Sequence, residues 1–257
     1  MAIRTGRKLI EVTGSERVSW LNGLITCDVR QIQDGGARFG AMVERKGKIV
    51  SDVVVAAPLG AERLWIDVDA QAAAQVLEQL EHHLIMEDVE LRLLDGAVGV
   101  RRGAAAAAGE ACLPLVGLCT GEGGLLWTGI AAGEMDDVYD EVRFEAGWPA
   151  FRVDYDESFY PQEAAIEGFA VAFDKGCYLG QEVVFMLQAR GKVKRRLALV
   201  QVEGEWVRGA RVADEAGKDL GEVRSVRGAR AFALVQRSAC TPGTRLVSDA
   251  VVATVLG

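Results

Sequence analysis

Apolar residues along the first hundred positions alternate or cluster in the short runs of β-strands, with two helical interruptions. Lys8–Val12 reads as a strand closed by Thr13-Gly14. Thr13 and Glu16 stand at capping-box spacing ahead of Val18, Leu21 and Ile25, which recur at helical intervals. Gly35-Gly36 turns the chain into Ala37–Val43, and the polar turn Glu44-Arg45-Lys46-Gly47-Lys48 leads to the β-rich run Ile49–Ala57, which predicts a hairpin. Arg63–Val68 is a further predicted strand. Asp69 is placed to cap a helix whose Ala72, Val76, Leu80 and Leu84 fall on one face. Val89–Leu94 and Ala97–Arg101 follow as short strands.

Gly103 to Gly109 encloses five alanines and predicts a linker or loosely held segment. Leu125–Ile130 reads as a strand. Asp136 or Asp137 can open a helix that ends near Gly147, with Pro149 stopping it. From Arg196 onward short β-rich runs (Leu197–Val202, Leu220–Val226, Ala231–Val235, Val251–Leu256) alternate with Gly and charged turns, which predicts a small closed sheet. A boundary near Lys194 divides the chain into 1–194 and 195–257. There is no internal repeat.

Composition narrows the choices. The chain has 257 residues, half of them hydrophobic and 26% charged, the balance of a globular protein with a substantial core. A net charge of −8 argues against a broad nucleic-acid surface, which needs clustered Lys and Arg. No apolar run approaches the ~20 residues of a membrane helix. Leu9-Ile10-Glu11-Val12 reads as a strand and not as the core of a signal peptide. Five cysteines, Cys27, Cys112, Cys119, Cys177 and Cys240, are scattered without a CxxC pair, so free thiols in a reducing cytosol are expected. His82 and His83 are adjacent on a helix, point in different directions, and make a poor metal pair.

The chemistry concentrates between Arg143 and Arg196. Glu145 sits near a helix end before a Gly/Pro break. A carboxylate there can accept in parallel from a flat ring with adjacent N–H donors. From spacing alone, a solvated pair with Arg143 is the commoner arrangement. In Lys175-Gly176-Cys177-Tyr178-Leu179-Gly180-Gln181-Glu182, two glycines bracket a thiol beside a lysine. Such a turn can carry a reactive cysteine, or merely bury an inert one.

That octapeptide, preceded by Arg143-Phe144-Glu145-Ala146-Gly147-Trp148-Pro149 and followed by Arg190-Gly191-Lys192-Val193-Lys194-Arg195, resembles the motif region of the tetrahydrofolate-binding glycine cleavage T-protein family, on its YgfZ-type branch. Gly14–Leu21, Thr26–Val29 and Lys46–Asp52 resemble the family's opening strand–helix and glycine hairpin more loosely, and Gly103–Gly124 is unmatched. The resemblance implies an α+β fold: a split α+β domain, a ferredoxin-like insertion and a C-terminal β-barrel around a central folate cavity. Residues 1–194 would form the folate-binding region and 195–257 the barrel.

It further implies that Glu145 holds the pterin ring. Asp52 would match the aspartate that stabilises positive charge near the reacting folate nitrogen in the aminomethyltransferases. Tyr178 joins the folate-binding set, and Arg190 or Arg195 would take the folate's carboxylate tail by chemistry alone. Cys177, absent from the aminomethyltransferase motif, would act as a thiolate at the cavity mouth. The implied function is a tetrahydrofolate-binding protein that supports assembly or repair of iron–sulfur clusters in client enzymes, including those of tRNA modification. A folate-dependent aminomethyltransferase and a non-catalytic scaffold are the alternatives. Turnover is not expected, although Asp52 keeps one-carbon chemistry open. The expected partners are folate and iron–sulfur client or assembly proteins. The chain is expected to be a cytoplasmic monomer with no membrane or direct nucleic-acid partner.

Overall fold

The computed structural model describes residues 2–4, 6–103, 105–114, 124–131, 138–191 and 193–256. Strands β1 (Ala2–Arg4) and β2 (Arg7–Thr13) follow one another closely yet join different sheets. Beyond the short helix α1 (Arg17–Asn22), β2 lies in an antiparallel five-stranded sheet with β3 (Ala37–Val43), β4 (Ile49–Ala56), β5 (Leu64–Asp69) and β6 (Glu90–Leu94), ordered β3-β4-β5-β2-β6. Every residue of β4 is buried, which is why its sequence runs Val53-Val54-Val55 without alternation. Ser51 and Asp52 are carried into the interior with it.

The second sheet, β1-β7-β9-β8, uses β7 (Ala97–Gly103), β8 (Ala111–Pro114) and β9 (Gly124–Ala131). Between β5 and β6, helix α2 (Ala73–His82) buries Ala73, Val76 and Leu80. Helix α3 (Val138–Ala146) leads into a coil-rich stretch that holds α4 (Glu167–Ala170) and α5 (Gln181–Arg190).

The chain then closes a six-stranded barrel. Its strands are β10 (Arg195–Val202), β11 (Arg211–Ala213), β12 (Asp219–Arg227), β13 (Arg230–Gln236), β14 (Arg245–Ser248) and β15 (Val251–Val255), ordered β10-β13-β12-β11-β14-β15. The barrel has its own core of Val200, Val212, Ala233, Leu246 and Ala253, separate from the larger core of the two sheets.

Three local expectations are corrected. Thr13 ends β2, and Glu16 occupies the α1 N-cap without a side-chain cap; its carboxylate instead accepts from the Asp88 amide at 2.7 Å. Asp69 does accept from the Gln71 and Ala72 amides, but in the turn before α2. The alanine-rich segment is no loose linker over its described part, because Gly109 donates to Leu59 O at 2.9 Å and Leu59 donates to Glu110 O at 2.8 Å. Asp136, Asp137 and Cys119 lie outside the described residues.

Candidate functional site

The buried strands β2, β4 and β5 place three charges together. Arg7 is 9% exposed, and its guanidinium donates from Nη1 to Asp52 Oδ1 at 2.5 Å and from Nε to Asp67 Oδ1 at 2.7 Å. Asp67 Oδ2 accepts from the Trp127 indole at 2.8 Å. Burial alone disfavours the Arg7 cation, but the two carboxylates outweigh it and push its pKa upward. Tyr155, fully buried nearby, has a hydroxyl without a hydrogen-bond partner among the described residues, and burial raises its pKa strongly. Asp52, read from the sequence as a catalytic and folate-binding carboxylate, is therefore 1% exposed and ion-paired to Arg7. The partner that takes it, 45 residues away in sequence, carries no motif that would have exposed it.

Glu145 stands half-buried at the end of α3, on the turn that leads to Trp148. Its anticipated surface partner is elsewhere: Arg143 is 1% exposed and donates to Asp140 at 2.5 Å and to Asp154 at 2.8 Å. Trp148, Phe39 and Phe169 form an aromatic wall, with ring centroids 6.2, 5.3 and 5.9 Å apart and the Trp148–Phe169 pair stacked. That wall lines a cavity of about 380 Å³ shared with Gln31, Gln33, Arg38 and Cys112. Arg38 donates to Gln31 Oε1 at 3.0 Å and brings a cation to the rim. An aromatic wall, two side-chain amides and a guanidinium suit a heteroaromatic ligand with an anionic tail. Sequence reading missed Phe39, Arg38 and Phe169, since each lies in a run that reads only as strand or helix.

The thiol turn is a separate place. Cys177 is exposed, whereas Cys27 is buried and Cys112 and Cys240 are half-buried. Lys175 does not face the thiol as the motif suggested. Its ammonium donates to the carbonyl oxygens of Asn22 at 2.6 Å, Ile25 at 2.5 Å and Cys27 at 2.8 Å. Burial brings the Lys175 pKa down to about 8, and raises that of the Cys27 thiol to about 12. Tyr178 is 6% exposed, with its ring 5.0 Å from the Lys175 ammonium. Asp52 is held by Arg7, whereas the Cys177 turn is held by the segment after α1.

The two arginines also diverge. Arg190 is exposed in the last turn of α5. Arg195 donates to Glu163 at 3.2 Å and to Ser158 Oγ at 3.3 Å, and its guanidinium lies 4.4 Å from the centre of the Phe159 ring. It thus joins the start of the barrel to the sheet region. Among the described residues there is no cluster of three or more potential metal ligands, and no helix is long and apolar enough to cross a membrane.

Comparison with known proteins gives the context. The GCVT N-terminal domain model matches residues 6–100, and the CAF17 C-terminal β-barrel domain model matches residues 194–256. The chain is 27% identical over 239 residues to an aminomethyltransferase of Halalkalibacterium halodurans, a match that covers 76% of this chain and 65% of the relative's length. It is equally 27% identical, over 245 residues, to the tRNA-modifying protein YgfZ of Escherichia coli O157:H7, covering 82% of this chain and 73% of that one. The crystal structure of glycine cleavage system aminomethyltransferase T from Bartonella henselae superposes with a TM-score of 0.77 at 16% identity, over 98% of this chain and 83% of the other. The expected T-protein fold with its closed C-terminal barrel is thus observed. The chain carries a GCVT N-terminal domain and a CAF17-type C-terminal β-barrel domain, and it is similar to proteins named YgfZ and aminomethyltransferase.

Proposed function

We propose that this chain is a tetrahydrofolate-binding protein connected to tRNA modification, which acts by supporting iron–sulfur clusters in client enzymes. The observation that supports the folate reading is the Phe39–Trp148–Phe169 wall of the 380 Å³ cavity with Arg38 at its rim, Trp148 being three residues along the chain from Glu145. On this reading Glu145 accepts from the pterin N–H groups, the aromatic wall covers its face, and Arg38 attracts the anionic tail. Folate supplies one-carbon carrying capacity when bound. The connection to tRNA modification rests on the YgfZ relatives. The iron–sulfur role rests on the family resemblance and on Cys177, an exposed thiol of the kind that suits soft iron. One cysteine cannot hold a cluster, so any contact involves a partner's ligands or an external thiol.

The test is a titration of the purified protein with tetrahydrofolate and 5-formyltetrahydrofolate. Glu145→Ala is expected to weaken binding by roughly 2–4 kcal/mol, the loss of a charge-assisted pair. Trp148→Ala should weaken it as well. Equal affinity in wild type and Glu145→Ala would remove this site. In a deletion strain, Cys177→Ser should fail to restore iron–sulfur enzyme activity while still binding folate; full rescue would make the thiol dispensable.

The aminomethyltransferase relative supports a second reading, one-carbon transfer. Folate-dependent ammonia release from an aminomethyl-lipoyl carrier protein would establish it. The Arg7–Asp52 ion pair weighs against it, since a paired carboxylate is poorly placed to offset a new positive charge.

A further inference from the structure

Cys177 is the exposed apex of a turn whose two feet are fastened in different ways. On the far side, Leu179 donates its amide to Gly23 O at 3.1 Å. Gly180 follows with φ +77°, and a Cβ there would stand 2.4 Å from Glu44 O, so only glycine allows the turn to rest against the β3–β4 hairpin. On the near side the Ala172 amide donates to Thr26 O at 2.9 Å, and closer to the thiol Lys175, 7% exposed, ends on three main-chain carbonyls of the segment leaving α1. Those acceptors are spread over residues 22 to 27, so a single ammonium with three donors gathers a whole stretch of backbone. Tyr178, folded back over the same ammonium, roofs the cradle. Gly176 contributes no packing, as a Cβ there would meet nothing within 4 Å. Between that backbone tie and Cys177, the near foot is held by Lys175.

We infer that Lys175 is the positioning residue of the Cys177 turn: its ammonium, seated in the Asn22–Ile25–Cys27 carbonyl cradle, holds the thiol outward at a fixed place for a macromolecular partner. This rests on the functional reading of Cys177 given above, but concerns a different residue. The titratable groups that bear on the ammonium are the buried Cys27 thiol, Asp28 and Arg30. At neutral pH, the lysine keeps the three donors that match its three acceptors.

The test uses the full chain with Cys112, Cys119 and Cys240 changed to Ser and a nitroxide attached at Cys177. Lys175→Met keeps the length of the side chain and removes its donors. Expected is a more mobile nitroxide spectrum, with amide exchange across 176–181 faster by about tenfold, the loss of one charge-assisted hydrogen bond or more, and unchanged exchange in the barrel. Lys175→Gly offers a second route, because its empty cradle should accept a primary alkylammonium ion. Millimolar butylammonium should restore the immobile spectrum, whereas a neutral alcohol of the same length should not. A merely space-filling lysine would give no such discrimination. An unchanged spectrum in Lys175→Met, exchange that rises throughout the molecule, or no rescue of Lys175→Gly would each overturn the inference. Folate titration and Cys177→Ser complementation report separately on the function of the thiol, so the failure of one is not mistaken for the failure of the other.

Discussion

At the scale of single residues, Arg7 has the largest structural duty. It neutralises Asp52 and Asp67 inside the five-stranded sheet, and it also donates to Asp67 O at 3.0 Å. Removing a buried cation leaves two carboxylates facing each other with no counter-charge, a loss of about 3–5 kcal/mol. Arg7→Met should therefore lower the urea midpoint sharply, while Arg7→Met combined with Asp52→Asn and Asp67→Asn recovers much of the loss. Equal stability of Arg7→Met and wild type in urea would show that the pair is inert. Of these residues, only Asp52 was legible in the sequence, because it lies in a motif. Its partner could not be read, because a cross-sheet ion pair between β2 and β4 leaves no periodic trace. The same holds for Lys175: its place in the octapeptide was visible, but the direction of its amine depends on backbone far away in the chain.

At the scale of elements, the hydrophobic pattern located most of the long strands to within a residue or two, since each buries a face or the whole of its length. It missed β1, β8, β11 and β14, which have three or four residues each and too few positions to show alternation. It also missed α5, which buries only Val184 and is delimited by left-handed Gly180 and Gly191 and not by an apolar stripe. The five-stranded sheet carries a further test. Glu11 on β2 accepts from Arg63 and Arg92, each at 2.8 Å. Burial pulls the Glu11 pKa up, but the two arginine hydrogen bonds prevail and hold it below the ordinary carboxylate value. The stability this provides is present above the ordinary value and is lost as pH falls through the lowered one. Glu11→Gln should thus flatten the acid limb of the stability–pH curve while leaving its slope near neutrality unchanged. An acid limb identical to wild type would refute the assignment.

At the scale of the whole molecule, the barrel is tied to α3 and the coil after it through Asp154. This carboxylate is fully buried and accepts from Arg143 Nη1 at 2.8 Å, from the Ala150 amide at 2.7 Å and from the Ser225 hydroxyl on β12. Arg224 adds a bond to Asp154 O at 3.0 Å, and Arg230 reaches Phe144 O at 2.9 Å. α3, the coil after it and the barrel wall thus share one acceptor. Asp154→Ala should cost about 3–5 kcal/mol by stranding Arg143. It should also split denaturant unfolding into two transitions, barrel and sheets, detectable by following Trp206 and Trp127 separately. A single cooperative transition at an unchanged midpoint would show that the junction lies elsewhere.

The division of β1 and β2 between two sheets carries a kinetic consequence. β1 pairs with Val98–Val100 of β7, and β2 pairs with β5 and β6, so neither strand has a partner until β5 or β7 has been synthesised. The barrel is the opposite case, since all of its pairings fall within its own sixty or so residues. Non-local pairing delays closure because loop entropy must be spent before contacts offset it. β1 and β2 therefore emerge unpaired, the second carrying the apolar Leu9-Ile10, and wait for partners still being made. During that interval this chain is most dependent on chaperones and most exposed to misassembly.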